Sequence, residues 1–342
     1  MSFAIPRVFK KLYVKKYTPA FKEAIEIVQQ TVVPPRSHEV LIRNKFLGIN
    51  SSDVSAVAGF YFPEKLTLPF EIGFEGIGEI VAIGDKVSEL KYGQPVMHMK
   101  YGAFSEYVYV PEEDVIPIAS ANGSLLPLLV SGATASLSLD KCGLILPGDK
   151  VLITAAAGGA GHIAVQWAKN AGCHVIGTCS SEEKVKFLKG IGCDRPINDK
   201  EESLVDILHK EYPDGLNVIW ESIGGEMSDT LFKHLAVKGR MVIIEGISQN
   251  TKEDLEKDVI KGLPTKLLQR SSMLSGFYLP HFKNDIPHYL SILVSLLHEQ
   301  SLKPHIDDGS SHGKPFKGLE DVSRAIEYLQ SGKCKGKVIV HL

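Results

Sequence analysis

The sequence predicts an α/β protein in which a doubly wound parallel sheet is joined to a small β-barrel-like domain. Up to about residue 125, short apolar runs alternate with glycine and proline, as in closely spaced strands. From residue 151 onward, short β-rich runs alternate with amphipathic segments of helical period, which indicates strand–helix–strand units and a parallel sheet. The length of 342 residues suits two domains.

The first half contains the strands of the barrel-like domain. The segment 40–48 alternates polar and apolar side chains and stops at a glycine, which is typical of a half-buried strand. The segment 75–84 repeats the pattern with several glycines, which predicts curved strands. Further strands are predicted at 96–99 and 104–110.

The second half contains the parallel sheet and its helices. A mostly apolar helix is predicted at 125–139, before the first strand of this region. The predicted strands are 151–154, 174–179, 217–222 and 241–246, and the predicted helices are 161–171, 182–190, 202–211 and 226–236. Towards the C-terminus we expect helices at 285–299 and 319–331 and a final strand at 337–342.

The composition excludes several classes of function. The formal net charge is −2, from 38 basic and 40 acidic residues, which argues against nucleic acid or a membrane surface as the main partner. Hydrophobic residues make up 44% and charged residues 23%, so extensive disorder is excluded. The five cysteines are odd in number and sparse, which predicts reduced thiols instead of a disulfide framework.

These properties favour a cytoplasmic location. The most apolar stretches are broken by glycines, so no membrane span is predicted, and the N-terminal residues lack the apolar core of a secretory signal. The sequence closes with Val340-His-Leu342 in place of Ser-Lys-Leu, so no C-terminal peroxisomal address is expected, and a peroxisomal location stays an alternative.

A glycine-rich turn at 154–161 (TAAAGGAG) follows a predicted strand and opens a predicted helix. Glycines allow the backbone to approach a pyrophosphate, whose charge is stabilised by free N–H groups at the helix start. A second strand about 20 residues further on completes the expected context of a dinucleotide site. The alternative is a tight strand–helix turn that binds nothing.

The end of the second parallel strand predicts which dinucleotide binds. A carboxylate there would accept hydrogen bonds from the ribose 2′-hydroxyl of NAD(H). This chain has Thr178-Cys-Ser-Ser181 instead, with Lys184 one turn into the next helix. Hydroxyls and an ammonium suit a 2′-phosphate, so the sequence predicts NADPH/NADP⁺ as cofactor. Ser180 and Glu183 are spaced as a capping box for that helix.

Several motifs together resemble the medium-chain dehydrogenase/reductase superfamily, and within it the zinc-lacking, quinone oxidoreductase-like branch that includes prostaglandin reductases. The motifs are NSSD at 50–53, FEGIG at 74–78, GAFSEY at 102–107, AAAGG at 155–159, ESIGG at 221–225 and GKV at 336–338. The resemblance implies a GroES-like catalytic domain at 1–125 and 281–342 around a Rossmann NADP-binding domain at 126–280.

The resemblance also implies which residues contact the cofactor. Pyrophosphate contacts are expected at Gly158, Gly159 and Ala160, and 2′-phosphate contacts at Ser180 and Lys184. The remaining expected contacts are Ser222 and Ile244 at the ribose, and Phe277, Tyr278, Leu279, Asn50 and Thr134 towards the nicotinamide. Two further positions depart from the family pattern: Asp199 stands where a tyrosine is common beside the adenosine phosphate, and Cys334 stands where an asparagine is usual.

No metal site is predicted. The chain has no cysteine before Cys142, and Phe74 occupies the position where metal-dependent relatives have a histidine, so four-coordinate zinc lacks its ligands. His38 and His98 are isolated. Without a Lewis acid, the hydride acceptor must already be electrophilic, which favours a conjugated enone over an alcohol–aldehyde pair.

The resemblance implies NADPH-dependent reduction of the C=C bond of an α,β-unsaturated ketone, of the 15-oxo-prostaglandin type. Tyr61 resembles a tyrosine that some relatives place near the substrate, either as a donor to the enolate or as an apolar wall. Phe60, Phe62, Phe277 and Tyr278 would line a lipid-like pocket. The alternatives are a quinone oxidoreductase and a non-enzymatic NADPH-binding protein, and a homodimer is common in the family.

Overall fold

The computed structural model describes residues 5–248, 251, 253–254 and 260–342. The chain forms two compact units, which we call unit 1 (residues 1–130 and 306–342) and unit 2 (residues 131–305). The strands are β1 Val8–Val14, β2 Ile25–Thr31, β3 Glu39–Gly48, β4 Phe70–Glu71, β5 Gly76–Ile83, β6 Pro95–His98, β7 Tyr107–Pro111, β8 Val115–Pro117, β9 Lys150–Ile153, β10 His174–Cys179, β11 Arg195–Asn198, β12 Leu216–Glu221, β13 Leu235–Ile243, β14 Met273–Gly276, β15 Ile306–Asp307 and β16 Lys337–His341.

The helices complete the element order. The α-helices are α1 Phe21–Ala24, α2 Ser51–Ala58, α3 Val130–Leu137, α4 Gly161–Asn170, α5 Glu182–Gly190, α6 Leu204–Glu211, α7 Glu226–Phe232, α8 Leu263–Arg270, α9 Ile286–His298 and α10 Val322–Gln330. Short 3₁₀ segments lie at Glu112–Asp114, Gly123–Leu128, Leu279–Asp285, Ser310–His312 and Leu319–Asp321, and a π-helical turn follows α3 at Ser138–Cys142.

Unit 1 is built around β3. This strand pairs antiparallel with β5, β7 and β16 in a seven-stranded sheet whose order is β15-β16-β3-β5-β6-β8, with β7 also on β3. The β3–β5 register shifts twice, and such irregularities increase the local twist of a sheet. A second sheet of order β2-β1-β4 belongs to the same unit.

Among the described residues, two apolar clusters stabilise unit 1. One contains side chains of β1, α1, α2, α10 and β16, such as Leu12, Phe21 and Val340. The other lies among β3, β5, β6 and β7, with Val40, Ile80 and Val96 fully buried or nearly so. Helix α2 begins at a capping box in which the Asn50 N–H donates to Asp53 Oδ2 at 2.8 Å.

Unit 2 contains a six-stranded sheet of order β11-β10-β9-β12-β13-β14, and every strand pairing in it is parallel. Its strands are buried almost continuously, since β10 and β12 each have five buried residues among six. Near-continuous burial is typical of parallel strands covered by helices. The order reverses between β9 and β12, which is the position where ligands bind in doubly wound sheets.

Most predicted elements are present, and two predicted helices need correction. The helix predicted at 226–236 ends at Phe232, because the chain turns into β13 from Leu235. The helix predicted at 125–139 is divided into a 3₁₀ segment that contains Pro127, then α3 and the π-helical turn. Helices α2 and α8 were not predicted from the pattern. Within the described ranges, none of the helices has both the length and the apolarity to cross a membrane.

Candidate functional site

Five of the predicted cofactor residues share one structural position in unit 2. Ser180, Asp199, Ser222, Ile244 and Phe277 are each the first residue after a strand, namely β10, β11, β12, β13 and β14. Because all six strands are parallel, their carboxyl ends lie along one edge of the sheet. The structure therefore brings together residues that span almost 100 positions of sequence.

The glycine-rich turn joins β9 to α4 at the same edge. The Gly158 N–H donates to the carbonyl of Ala155 at 2.9 Å, and Ala155 itself has a positive φ of 47°. A Cβ on Gly161 would lie 2.5 Å from the Ala155 carbonyl oxygen, so only glycine fits there. Helix α4 begins at Gly161, and its N-cap residue Ala160 provides no side-chain cap. Unpaired N–H groups at the start of a helix suit an anion.

His162 fixes the position of the turn. Its side chain is fully buried, and its Nε2 accepts a hydrogen bond from the His305 N–H at 3.1 Å. Its Nδ1 must then carry the proton, which it donates to the Gly158 carbonyl at 2.9 Å. The imidazole thus fixes the orientation of the Gly158 carbonyl. Sequence reasoning missed this residue, and a histidine directly after the last glycine was the available signal.

A buried carboxylate organises the loop after β12. Glu221 accepts hydrogen bonds from the N–H groups of Ile223 at 2.7 Å and Gly224 at 3.0 Å, and from the Ser228 hydroxyl at 2.8 Å. Thr154, after β9, accepts from the Ser222 N–H through Oγ1 at 2.9 Å. These bonds connect the two strand ends at the reversal point. Glu221 was not predicted, although a charged residue that closes an apolar strand is a recognisable signal.

The corner between β10 and α5 carries the predicted 2′-phosphate residues. Ser180 is exposed, and Lys184 is buried with 9% of its surface accessible. The predicted capping box from Ser180 to Glu183 is wrong, because the N-cap is Ser181, whose Oγ accepts from the Lys184 N–H at 3.3 Å. Both serines satisfy the cap preference, so composition could not decide between them. Ser180 is therefore not used to cap α5.

Asp199 lies beside this corner. Its N–H donates to the Cys179 carbonyl at 2.9 Å, so it continues the pairing of β11 with β10. Burial raises the pKa of the Asp199 carboxyl, and the charges of Lys200 and Lys184 oppose that effect. Burial also raises the pKa of the Cys179 thiol, which keeps this neighbour protonated at neutral pH.

The last two strands of this sheet are followed by Ile244, predicted at the ribose, and by Phe277, predicted near the nicotinamide. The Ile244 N–H donates to the Glu221 carbonyl at 2.7 Å, and the Phe277 N–H donates to the Ile243 carbonyl at 2.9 Å. Phe277 is buried and stacks on Phe282 with ring centroids 4.7 Å apart. Tyr278 and Leu279 follow it and are half-buried. Thr134 lies elsewhere in unit 2, on α3 and not at a strand end.

Unit 1 contains a buried polar cluster that includes Asn50. The Asn50 Nδ2 donates to Glu75 Oε1 at 3.0 Å, and its Oδ1 accepts from Lys337 Nζ at 2.5 Å. Lys337 also forms an ion pair with Glu75, and these two side chains are 1% and 0% exposed. The Val130 N–H donates to the second Glu75 oxygen at 2.9 Å. Asn50 is thus held rigidly by two charged side chains, neither of which was predicted.

An aromatic cluster surrounds Tyr61 in the same unit. The Tyr61 ring lies 5.0 Å from that of Phe62 and 4.9 Å from that of Phe74, and Tyr101 lies 5.3 Å from Phe62. The Tyr101 hydroxyl is buried, and no described residue is within hydrogen-bond distance of it. Burial raises the pKa of Tyr101 strongly. Phe60 is 37% exposed, and Cys334 is buried in the apolar cluster of this unit.

Two protein families match the chain. The alcohol dehydrogenase GroES-like domain matches residues 36–120, and the zinc-binding dehydrogenase domain matches residues 159–295. Over the described residues, no group of three or more His, Cys, Asp or Glu side chains is arranged to hold a metal ion. The described residues therefore contain no ligand set for the zinc that the name of the second family mentions.

Individual relatives cover nearly the whole chain. Prostaglandin reductase-3 of Mus musculus is 46% identical over 345 aligned residues, which cover 99% of this chain and 91% of that protein. A probable quinone oxidoreductase of Leishmania amazonensis is 39% identical and covers 98% and 99%. The quinone oxidoreductase of Pseudomonas syringae superposes with a TM-score of 0.81 at 26% identity, over 98% and 100% of the two chains. The predicted fold, a GroES-like domain with a Rossmann sheet, is confirmed.

Proposed function

This chain belongs to the medium-chain dehydrogenase/reductase family, and we propose that it reduces the C=C bond of α,β-unsaturated ketones with NADPH. The 46% identity to prostaglandin reductase-3 supports the enone class. A 15-oxo-prostaglandin is the proposed model substrate. The alignment with that relative covers 99% of this chain.

The proposal depends mainly on the carboxyl edge of the parallel sheet in unit 2. The uncapped start of α4, with Gly158, Gly159 and Ala160 before it, is the proposed pyrophosphate site. Lys184 with Ser180 is the proposed 2′-phosphate site, since no carboxylate directly follows β10. The remaining proposed contacts are Ser222, Ile244, Phe277, Tyr278 and Leu279 at the sheet edge, and Thr134, Asn50 and Cys334 elsewhere in the two units.

The chemistry assigned to this chain concerns charge and protons on the substrate. When bound, NADPH supplies a hydride to the β-carbon of the enone, and negative charge develops on the carbonyl oxygen. The Tyr61 hydroxyl is the proposed donor to that oxygen, or to the α-carbon. The neighbouring Phe62 and Phe74 rings provide an apolar wall that strengthens such a hydrogen bond.

The proposal is tested with purified protein and three separate acceptors: an enone, an ortho-quinone and a para-quinone. We expect NADPH oxidation with the enone and a product saturated at the former double bond. If only the quinones oxidise NADPH, the proposed enone reduction is wrong and the second candidate function, a quinone oxidoreductase, takes its place. The 39% identity to the Leishmania amazonensis protein favours that candidate.

Cofactor binding is tested independently of turnover. Trp167 and Trp220 are both buried in unit 2, so their fluorescence should respond when NADPH binds. Failure of NADPH to change the fluorescence or the melting temperature would contradict the proposed cofactor site. A response without any turnover would favour a non-enzymatic NADPH-binding protein.

Three further properties complete the proposal. We expect a homodimer, which sedimentation would measure, and a cytoplasmic location, with the peroxisome as the alternative. The functional division is proposed to be a catalytic domain at 1–125 and 281–342 and an NADP-binding domain at 126–280. Expression of 126–280 alone, followed by NADPH binding, tests that division.

A further inference from the structure

Asp199 introduces a carboxylate into the corner where the proposed phosphate residues lie. It directly follows β11, the edge strand, and its backbone pairs with Cys179 at the end of β10. Ser180 and Ser181 are the next residues after Cys179, and Lys184 lies one turn into α5. The negative Asp199 and the positive Lys184 therefore both lie near the carboxyl ends of the adjacent strands β10 and β11.

The Oδ1 atom of the Asp199 carboxylate accepts no hydrogen bond from a described residue. That atom is buried, and no donor among the described residues reaches it. Elsewhere in unit 2 acidic groups are paired, as in Asp194 with Lys169 at 2.9 Å and Glu202 with Arg195 at 2.8 Å. A buried carboxylate oxygen without a donor is costly unless a partner or a proton arrives.

The charged groups around Asp199 come from three segments. Lys200 in its own segment and Lys184 on α5 act on the Asp199 carboxyl, and the charge of Asp199 in turn acts on the Cys179 thiol of β10. Burial outweighs the two lysines, so the pKa of the carboxyl is raised. A second anion at this corner would raise it further, because like charges disfavour ionisation of each other.

We propose that Asp199 sets the coenzyme specificity of this chain, by opposing a 2′-phosphorylated adenosine unless the carboxyl first takes up a proton. This inference rests on the proposed NADPH site. The neutral carboxyl donates its O–H to a phosphate oxygen, and the proton comes from solvent. Binding of the phosphorylated nucleotide is therefore coupled to proton uptake, whereas binding of an adenosine with a free 2′-hydroxyl is not. The penalty for 2′-phosphate increases with pH.

Isothermal titration calorimetry with 2′,5′-ADP and with 5′-AMP tests the proposal without turnover. The variant Asp199→Asn keeps the shape of the side chain and removes its charge. At about pH 8 we expect this variant to bind 2′,5′-ADP about tenfold more tightly than the parent does. The difference in affinity between the two proteins should become smaller towards pH 6. Affinity for 5′-AMP should change less than about twofold.

Proton uptake provides the second measurement. Titrations in two buffers of different ionisation enthalpy give the number of protons bound with 2′,5′-ADP, and this number should be larger for the parent than for Asp199→Asn. The matched control is Glu201→Gln, which removes an equal charge from an exposed side chain two residues away. It should leave the affinity for 2′,5′-ADP and the proton uptake at the parent values.

Equal affinity of the parent and Asp199→Asn for 2′,5′-ADP at pH 8 would overturn the inference. Equal proton uptake by these two proteins would also overturn it, as would a gain in affinity matched by Glu201→Gln. The outcome is separate from that of the proposed function. A parent that binds 2′,5′-ADP and shows the Asp199 effect, but reduces no enone, keeps this inference and loses the proposed reaction.

Discussion

The Tyr61 hydroxyl is the group that the proposed proton transfer requires. Tyr61→Phe removes the hydroxyl and keeps the ring contacts with Phe62 and Phe74. We expect kcat for enone reduction to fall about 10- to 100-fold, with KM changed less than about threefold, because the donor acts in the transition state. Steady-state kinetics provides the measurement. Tyr101→Phe is the matched control within the same aromatic cluster. If Tyr61→Phe keeps its kcat and Tyr101→Phe loses it, the donor is Tyr101.

Lys184 is the residue that distinguishes the two coenzymes in our proposal. Lys184→Gln should raise KM for NADPH about tenfold and leave KM for NADH within about twofold, because only NADPH presents a 2′-phosphate. Lys186→Gln, an exposed lysine on the same helix, should change neither value. A parallel loss of both coenzymes in Lys184→Gln would indicate a structural role for the buried lysine instead.

Residues at strand ends could be predicted from sequence, whereas long-range partners could not. Ser180 was assigned from the sequence pattern, and Ser222 and Phe277 were assigned from the family resemblance. The structure places each directly after a parallel strand. The Asn50 contact to Lys337 joins residues 287 positions apart, and no local pattern encodes such a pairing. The predicted N-cap of α5 was one residue away from the observed one, because two adjacent serines suit the position equally.

The β9–α4 turn depends on the absence of a side chain at Gly161. Gly161→Ala would place a Cβ 2.5 Å from the Ala155 carbonyl oxygen and 2.8 Å from the Ala156 Cα, both of which are backbone atoms. We expect the free energy of unfolding to fall by about 1–3 kcal/mol and NADPH binding to be lost. Urea denaturation and fluorescence titration provide the measurements.

Gly190→Ala is the control for that substitution. Gly190 ends α5, and a Cβ there meets no atom within 4 Å. Because alanine restricts the unfolded chain more than glycine does, this variant should be neutral or stabilised by up to about 1 kcal/mol. Equal stability of the two variants would show that the turn tolerates a side chain at position 161.

Elements with a strong period were predicted more accurately than those where two patterns meet. Helix α5 has its predicted bounds, 182–190, because an amphipathic run is flanked by an N-cap serine and glycine-rich sequence. The helix predicted to reach residue 236 stops at Phe232, since Leu235 and then Arg240 to Ile243 pair with β12. Tertiary pairing there overrides the local helical pattern.

A buried histidine makes the stability of the molecule depend on pH. His98 is fully buried, its Nε2 bonds to Asn44 Oδ1 at 2.9 Å, and burial lowers its pKa to about 3. The unfolded chain takes up the proton near pH 6.5, so stability is lost as the pH falls below that value. Between about pH 7.5 and about pH 5.5, His98 should account for a loss of about 1.4 kcal/mol.

Chemical denaturation at the two pH values checks this dependence. His98→Gln should show about 1.4 kcal/mol less loss than the parent over the same interval, because glutamine does not titrate. Replacement of the exposed His298 by glutamine should leave the parent's dependence intact. An identical pH dependence of the parent and His98→Gln would contradict the assigned role.

The buried ion pair of Glu75 and Lys337 in unit 1 is expected to stabilise the fold only when both charges are present. Lys337→Met leaves the Glu75 charge buried without its cation, and we expect the free energy of unfolding to fall by about 3–5 kcal/mol. The double variant Glu75→Gln with Lys337→Met removes both charges and should recover part of that loss. Thermal unfolding of the parent, both single variants and the double variant measures the coupling. Strict additivity would mean that the pair does not interact.

The position of β16 has a consequence for synthesis. This strand lies between β15 and β3 in the sheet of unit 1, although its residues are 337–341. While the chain is still emerging from a ribosome, β16 is absent, and Phe46, Leu47 and Gly48 of β3 lack the strand that later pairs with them. Unit 2 contains only residues 131–305 and is translated earlier. Nascent chains should therefore acquire protease resistance in the Rossmann sheet first, and chaperones should meet the open edge of β3 until translation reaches β16.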